Sequence, residues 1–133
     1  MIVRNINSLC GTDREVNSDN WSSTRLLLKD DGMGFSFHQT IVHPGTETKI
    51  WYKNHLEAVY CVEGSGEIEE DDGTKHNISP GTIYALDKHD KHTLRAFSEL
   101  KMICVFNPPL LGPETHDSQG VYPLLTEFEN VSK

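Results

Sequence analysis

Turn-forming residues recur along this chain at intervals too short for helices of ordinary length. Asp31-Gly32 with Gly34, Pro44-Gly45, Gly64 with Gly66, Asp72-Gly73 and Pro80-Gly81 divide it into strand-length pieces. Glycine supplies positive φ and proline a fixed φ, the two backbone settings that tight connections need. The pieces between them predict strands over 2–5, 24–29, 34–42, 48–53, 56–63, 66–70, 74–78, 82–86, 92–97 and 100–106. The expected fold is all-β, a small β-barrel of two antiparallel sheets with few short helices. A chain of 133 residues with 36% hydrophobic content has material for one core, so residues 1–133 are read as a single domain.

Charge narrows the partners. A net charge of −8, with no cluster of Lys or Arg to replace counterions, opposes a nucleic-acid or anionic-membrane surface. The acidic run EIEEDDG reads as a hairpin turn with a solvated rim. Cys10, Cys61 and Cys104 are odd in number and lack CxxC spacing, which indicates reduced thiols and a cytoplasmic setting, not a disulfide framework or a zinc ribbon. The opening MIVRNINSLC is interrupted by Arg4 and Asn5, too polar for a signal-peptide core, and no stretch approaches the length of a membrane span.

Period two then sorts side chains by face. In 100–106, Leu100, Met102, Cys104 and Phe106 share one side and Lys101, Ile103 and Val105 the other. In 56–63, Glu57 shares its side with Val59 and Cys61. If that side faces the interior, a carboxylate is being placed inside, at a cost that only a partner or a metal offsets.

From Gly45 to Gly64 the chain follows the first cupin motif, with Glu57 at the acidic position and Gly64 at the close, but the His-x-His pair is missing. Its two permitted registers hold Trp51 and Lys53, or Ile50 and Tyr52. From Gly81 the second motif follows with His92 at the histidine position, while Asp87 and His89 stand where Pro and Gly would be. More specific are GTDREV (11–16), NW (20–21), RLLLKDDGMGFSFH (25–38), YKNHLEAVYCVEG (52–64), PGTIYALDKHDKH (80–92) and CVFNPPLLGPETHD (104–117). Through these blocks the chain resembles the ectoine synthase family of the cupin superfamily over nearly its whole length.

The resemblance implies a single cupin domain and a cytoplasmic homodimer, arranged head to tail. It implies an enzyme that closes N-γ-acetyl-L-2,4-diaminobutyrate into ectoine with loss of water, with Fe(II) as cofactor. Carried onto this sequence, it places the metal on Glu57, Tyr84 and His92, an oxygen and nitrogen donor set suited to iron. It makes Trp21, Arg25, Thr40, Tyr52, Cys104, Phe106, Glu114 and His116 substrate contacts. Arg25 offers a bidentate donor to a carboxylate. Proton transfer falls to Tyr52 or to the pair Glu114 and His116. His38, His43, His55, His76 and His89 read as structural or surface residues, and the chain ends read as a lid. Two other functions stay open at this level. A non-catalytic ligand-binding cupin would explain the lost histidine pair, and an iron-dependent cupin dioxygenase would consume oxygen.

Overall fold

A computed structural model describes residues 1–115. Ten strands form, β1 (Glu15–Asn17), β2 (Trp21–Leu27), β3 (Ser36–Val42), β4 (Glu47–Ile50), β5 (Leu56–Glu63), β6 (Gly66–Glu70), β7 (Lys75–Ile78), β8 (Ile83–Leu86), β9 (His92–Ala96) and β10 (Leu100–Asn107). They make a six-stranded sheet ordered β1-β2-β3-β10-β5-β8 and a four-stranded sheet ordered β4-β9-β6-β7. Every pairing is antiparallel. Two short 3-10 turns, Ile6–Ser8 and Lys29–Asp31, are the only helical pieces among the described residues. This is the expected all-β architecture of two antiparallel sheets, with no strand pairing across the gap between them among the described residues.

The core forms where the alternating apolar faces of the two sheets meet. β10 buries Leu100, Met102, Cys104 and Phe106, and β5 buries Glu57, Val59 and Cys61, as period two requires. Ile50, Ile68, Ile78, Leu94 and Ala96 close against them from the second sheet. β10 lies between β3 and β5, paired with both over most of its length. It therefore fixes the register of the strands that carry the site.

Three features near the N-terminus differ from the expected strands. The predicted strand at 2–5 does not form. Arg4 is drawn instead to Asp31 at 2.8 and 3.0 Å and to the Leu26 carbonyl at 2.9 Å, while Asn5 Oδ1 accepts from Asn7 N–H at 2.9 Å and turns the chain. A strand at 15–17 forms that the pattern did not predict, because β2 offers it a free edge. β2 also starts earlier than predicted, at Trp21 and not at residue 24. Asn20 anchors that start, donating to the Glu47 carbonyl at 3.1 Å and to Thr48 Oγ1 at 2.9 Å.

Of the turn glycines, Gly64 is constrained twice. Its φ is +97°, and a Cβ there would lie 2.1 Å from the Glu99 carbonyl oxygen. Gly66 needs only the space, since a Cβ would meet the Arg95 carbonyl at 2.4 Å. Gly64→Ala is expected to lower stability by about 2 kcal/mol or more, from left-handed strain plus the clash, as read by urea unfolding. A loss below a few tenths of a kcal/mol would show that the β5–β6 connection relaxes freely.

Candidate active site

Strand register assembles the site from the first sheet. Across β10 and β5, Phe106 pairs with Glu57 and Cys104 with Val59, while β8 sets Tyr84 opposite Val59. Glu57, Tyr84, Cys104 and Phe106 thus gather on the inner face. Together with Trp21, His38, Thr40 and Tyr52 they line an interior cavity of about 40 Å³. Tyr52 is buried and packs edge-on against Phe106, ring centroids 5.1 Å apart. Cys104 Sγ lies 3.6 Å from Thr40 Oγ1.

The electrostatics of this wall are unusual for a protein interior. Burial pushes the Glu57 carboxyl up to about 8, offset in part by a hydrogen bond from the Cys104 thiol. Burial also raises the Tyr84 phenol well above its ordinary value, and the neighbouring Glu57, Cys104 and Cys61 raise it further. Cys104 is raised well above a normal thiol by the same burial and by Glu57. Burial is the first reason that all three acidic groups hold their protons, and the nearby Glu57 adds to it for Tyr84 and Cys104. A divalent cation would reverse all three shifts, so this wall fits a metal.

His92 is buried beside this wall. Its ring centroid lies 6.5 Å from those of Tyr84 and Tyr52. Nδ1 contacts the Asp90 carbonyl at 2.9 Å and must donate there, because a carbonyl only accepts. Nε2 therefore keeps its lone pair, the tautomer a metal ligand needs. Burial lowers the imidazole below its usual value, with the Asp90 carbonyl opposing, and so favours the neutral ring. His92 and Tyr84 share a groove on the open side of the sandwich, while Glu57 and Tyr84 share the cavity. Tyr84 thus stands between the other two. No three His, Cys, Asp or Glu side chains gather at metal-binding range among the described residues.

Arg25 and Glu114 meet in an adjoining buried cluster and not on the cavity wall. Glu114 accepts the backbone N–H groups of Leu111 and Gly112, both at 2.7 Å, and lies 4.0 Å from Arg25 Nη1. Arg25 donates from Nη1 to the Gly112 carbonyl and from Nε to Ser23 Oγ at 3.4 Å. These bonds hold the 110–114 segment down over β2. His116 lies outside the described residues.

Of the histidines read as structural or surface residues, His76 and His89 are exposed, and His76 pairs with Glu70 at 2.6 Å. His38 and His55 are buried, and His38 lies on the cavity wall. The signal that would have found His38 is parity, since it shares a face of β3 with Thr40, already a candidate.

The profile of the ectoine synthase family matches residues 1–126. An L-ectoine synthase of Hahella chejuensis is 61% identical over 128 residues, covering 96% of this chain and 97% of that protein. The crystal structure of ectoine synthase from P. lautus superposes with a TM-score of 0.86 at 55% identity, covering 96% of this chain and 93% of that one. A cupin domain of an XRE-family regulator from Enterobacter cloacae, 18% identical with a TM-score of 0.58, shares the fold.

The Glu57 shift sets a pH dependence for the metal-free protein. Its folded value of about 8 lies above the ordinary 4.5, so its contribution is full below about 4.5 and is lost as pH rises through 8. Within that window each pH unit costs at most about 1.4 kcal/mol. Metal-free wild type is therefore expected to lose stability relative to Glu57→Gln between pH 5 and pH 8.5 in urea unfolding. Parallel curves for the two proteins would show that the carboxylate is ionised and solvated in the absence of metal.

Proposed function

The chain belongs to the ectoine synthase family, and from that premise we propose that it closes N-γ-acetyl-L-2,4-diaminobutyrate into ectoine with loss of water. The observation that carries the reading is the Glu57 carboxyl, buried beside Tyr84 on the wall of the cavity between the sheets. Glu57, Tyr84 and His92 are the proposed ligands of Fe(II). When bound, Fe(II) supplies Lewis acidity to an otherwise unreactive acetamide carbonyl, with no change of oxidation state.

Ring closure joins the α-amino nitrogen to the acetamide carbon and breaks the carbon–oxygen bond. The amine arrives as an ammonium with three protons. Two leave with the oxygen as water, and one stays on the amidinium ring, so charge is conserved. The residues must therefore move protons within the site. Tyr52, with its ring near those of Phe106 and His92, is the proposed relay. Glu114 is fixed by its two backbone donors in one orientation, which suits a carboxylate meant to hold an ammonium group, with His116 as its proposed partner. Trp21, Thr40, Cys104 and Phe106 would bound the substrate and press its two ends together, which converts rotational freedom into proximity. Arg25 is the proposed cation for the substrate carboxylate.

A homodimer is supported by the outer face of β5 and β8, where Leu56, Tyr60, Val62 and Ile83 are exposed side by side. A cytoplasmic setting is supported by three free cysteines, one of them the exposed Cys10. Among the described residues no helix is long and apolar enough to cross a membrane.

Anaerobic incubation of the protein with Fe(II) and N-γ-acetyl-L-2,4-diaminobutyrate is expected to yield ectoine by chromatography. No product, or product only when oxygen is admitted, would overturn the assignment and favour a binding protein or an oxygenase respectively. Glu57→Ala and His92→Ala should lose bound iron by elemental analysis. Tyr52→Phe should keep iron and lose about a hundred- to ten-thousand-fold in turnover, the usual worth of one proton-transfer group. Full iron content in Glu57→Ala would remove that ligand from the set.

A further inference from the structure

Position 89 holds a histidine where the second cupin motif has a glycine, yet the chain there keeps a glycine-like backbone. His89 has φ +54°, and it is the only residue other than glycine at positive φ among the described residues. A side chain in that region is strained and persists only where surrounding contacts hold it. Two contacts do so here. The Trp51 indole Nε1 donates to the His89 carbonyl at 3.1 Å. His89 Nδ1 lies 2.9 Å from the Tyr52 carbonyl and must donate there, because a carbonyl only accepts. The Trp51 ring is itself held by Lys91 and Lys53, whose ammonium groups lie 4.6 and 5.2 Å from its centroid. A glycine would take the same φ without strain and could accept from Trp51, but it could not bond to Tyr52.

The place of this clamp in the fold shows what it controls. β4 and β9 pair from Glu47 and Arg95 to Ile50 and His92, so His92 stands on the last rung of their ladder. Beyond that rung side chains join the two segments instead, Trp51 and Tyr52 on the β4 side and His89 on the β9 side. Between the clamp and the rung lies the bond from His92 Nδ1 to the Asp90 carbonyl, the bond that leaves the Nε2 lone pair for a metal. Asp90 follows His89 directly, so the path of the chain at 89 sets where that carbonyl stands. The same imidazole holds the backbone of Tyr52, whose ring centroid lies 6.5 Å from that of His92. We infer that His89 is a positioning residue, which bridges the ends of β4 and β9 and so holds the Asp90 carbonyl against His92 Nδ1, presenting His92 Nε2 to the metal in one tautomer. The inference rests on the proposed function for the assignment of His92 as a ligand.

His89→Gly separates this role from a purely structural one. It relieves the left-handed strain while losing the tie to Tyr52, so its two effects on Tm oppose one another. In the metal-free protein, imidazole nitrogen NMR should find the His92 proton on Nδ1 alone in wild type and shared between both nitrogens in His89→Gly. Titration with Co(II) should show a Kd raised about ten- to a hundred-fold in His89→Gly, the usual worth of an outer partner of a metal-binding histidine. His89→Asn should recover the single tautomer and most of the affinity, since Asn tolerates the left-handed region and its amide overlies Nδ1. Should His89→Gly fail to fold, Trp51→Phe removes the other half of the clamp, and its His92 tautomer decides the same question. A wild-type tautomer and Co(II) affinity in His89→Gly would overturn the inference, as would an equal loss in the glycine and asparagine variants. So would a loss of affinity that only tracks a fall in Tm. Formation of ectoine by Fe(II)-loaded wild type reports on the ring-closing reaction by itself. Its absence overturns that function, whereas the His92 tautomer in the metal-free variants decides the inference.

Discussion

Carrying an ionisable carboxyl to the inner face of a β-sandwich is costly, and the Glu57 side chain does so beside a phenol and a thiol that cannot neutralise it. Burial raises the proton affinity of all three, and Glu57 raises that of the phenol and the thiol further. Such a wall fits a cation, and that fit gives a strand with Ala, Val and Cys a reason to carry a glutamate at all. A surface glutamate would need none of this surrounding. Here the register of β5 against β10 and β8 surrounds it on both sides.

β10 carries that constraint through the rest of the molecule. By pairing with β5 on one side and β3 on the other, it joins the acidic wall to a second polar region built from Ser23, Arg25, Ser36, His38 and Glu114. That second region has its own partners throughout. Serine hydroxyls tie His38 to β2 and to Leu110, and backbone amides hold the Glu114 carboxylate at 2.7 Å. Buried polar groups tolerate such a position only when their bonds are made, and networks of this kind hold a segment in one arrangement. The cavity meets the acidic wall through Glu57 and Tyr84 and the second region through His38, with Val42, Ile50, Leu94 and Met102 in its lining.

Much of this was legible in local spacing. Turn pairs separated the strands, and 56–63 and 66–70 form over those very residues. Parity placed Leu100, Met102, Cys104 and Phe106 inside and gave Glu57 the same side as Val59 and Cys61. The motif blocks named the family. Less legible were features that depend on a remote partner. The strand expected at 2–5 fails because Arg4 finds Asp31, 27 residues away. Arg25 and Glu114 each looked like solvated or substrate-facing groups, yet they are buried against one another, 89 positions apart in the chain.

Periodicity is a property of neighbours in sequence, so the chain by itself determined which side chains share a face, where it must turn, and that a carboxylate would accompany the apolar residues of β5. It carries no statement about which strand lies beside which. That was decided by the tertiary structure, through the order β1-β2-β3-β10-β5-β8. Pairing brought Tyr84 next to Val59 and Glu57 next to Phe106, and set His38 one strand from Cys104. Whether a histidine is a surface group or the wall of a site depends on those long-range contacts, because burial is settled by what packs on a face and not by the face alone.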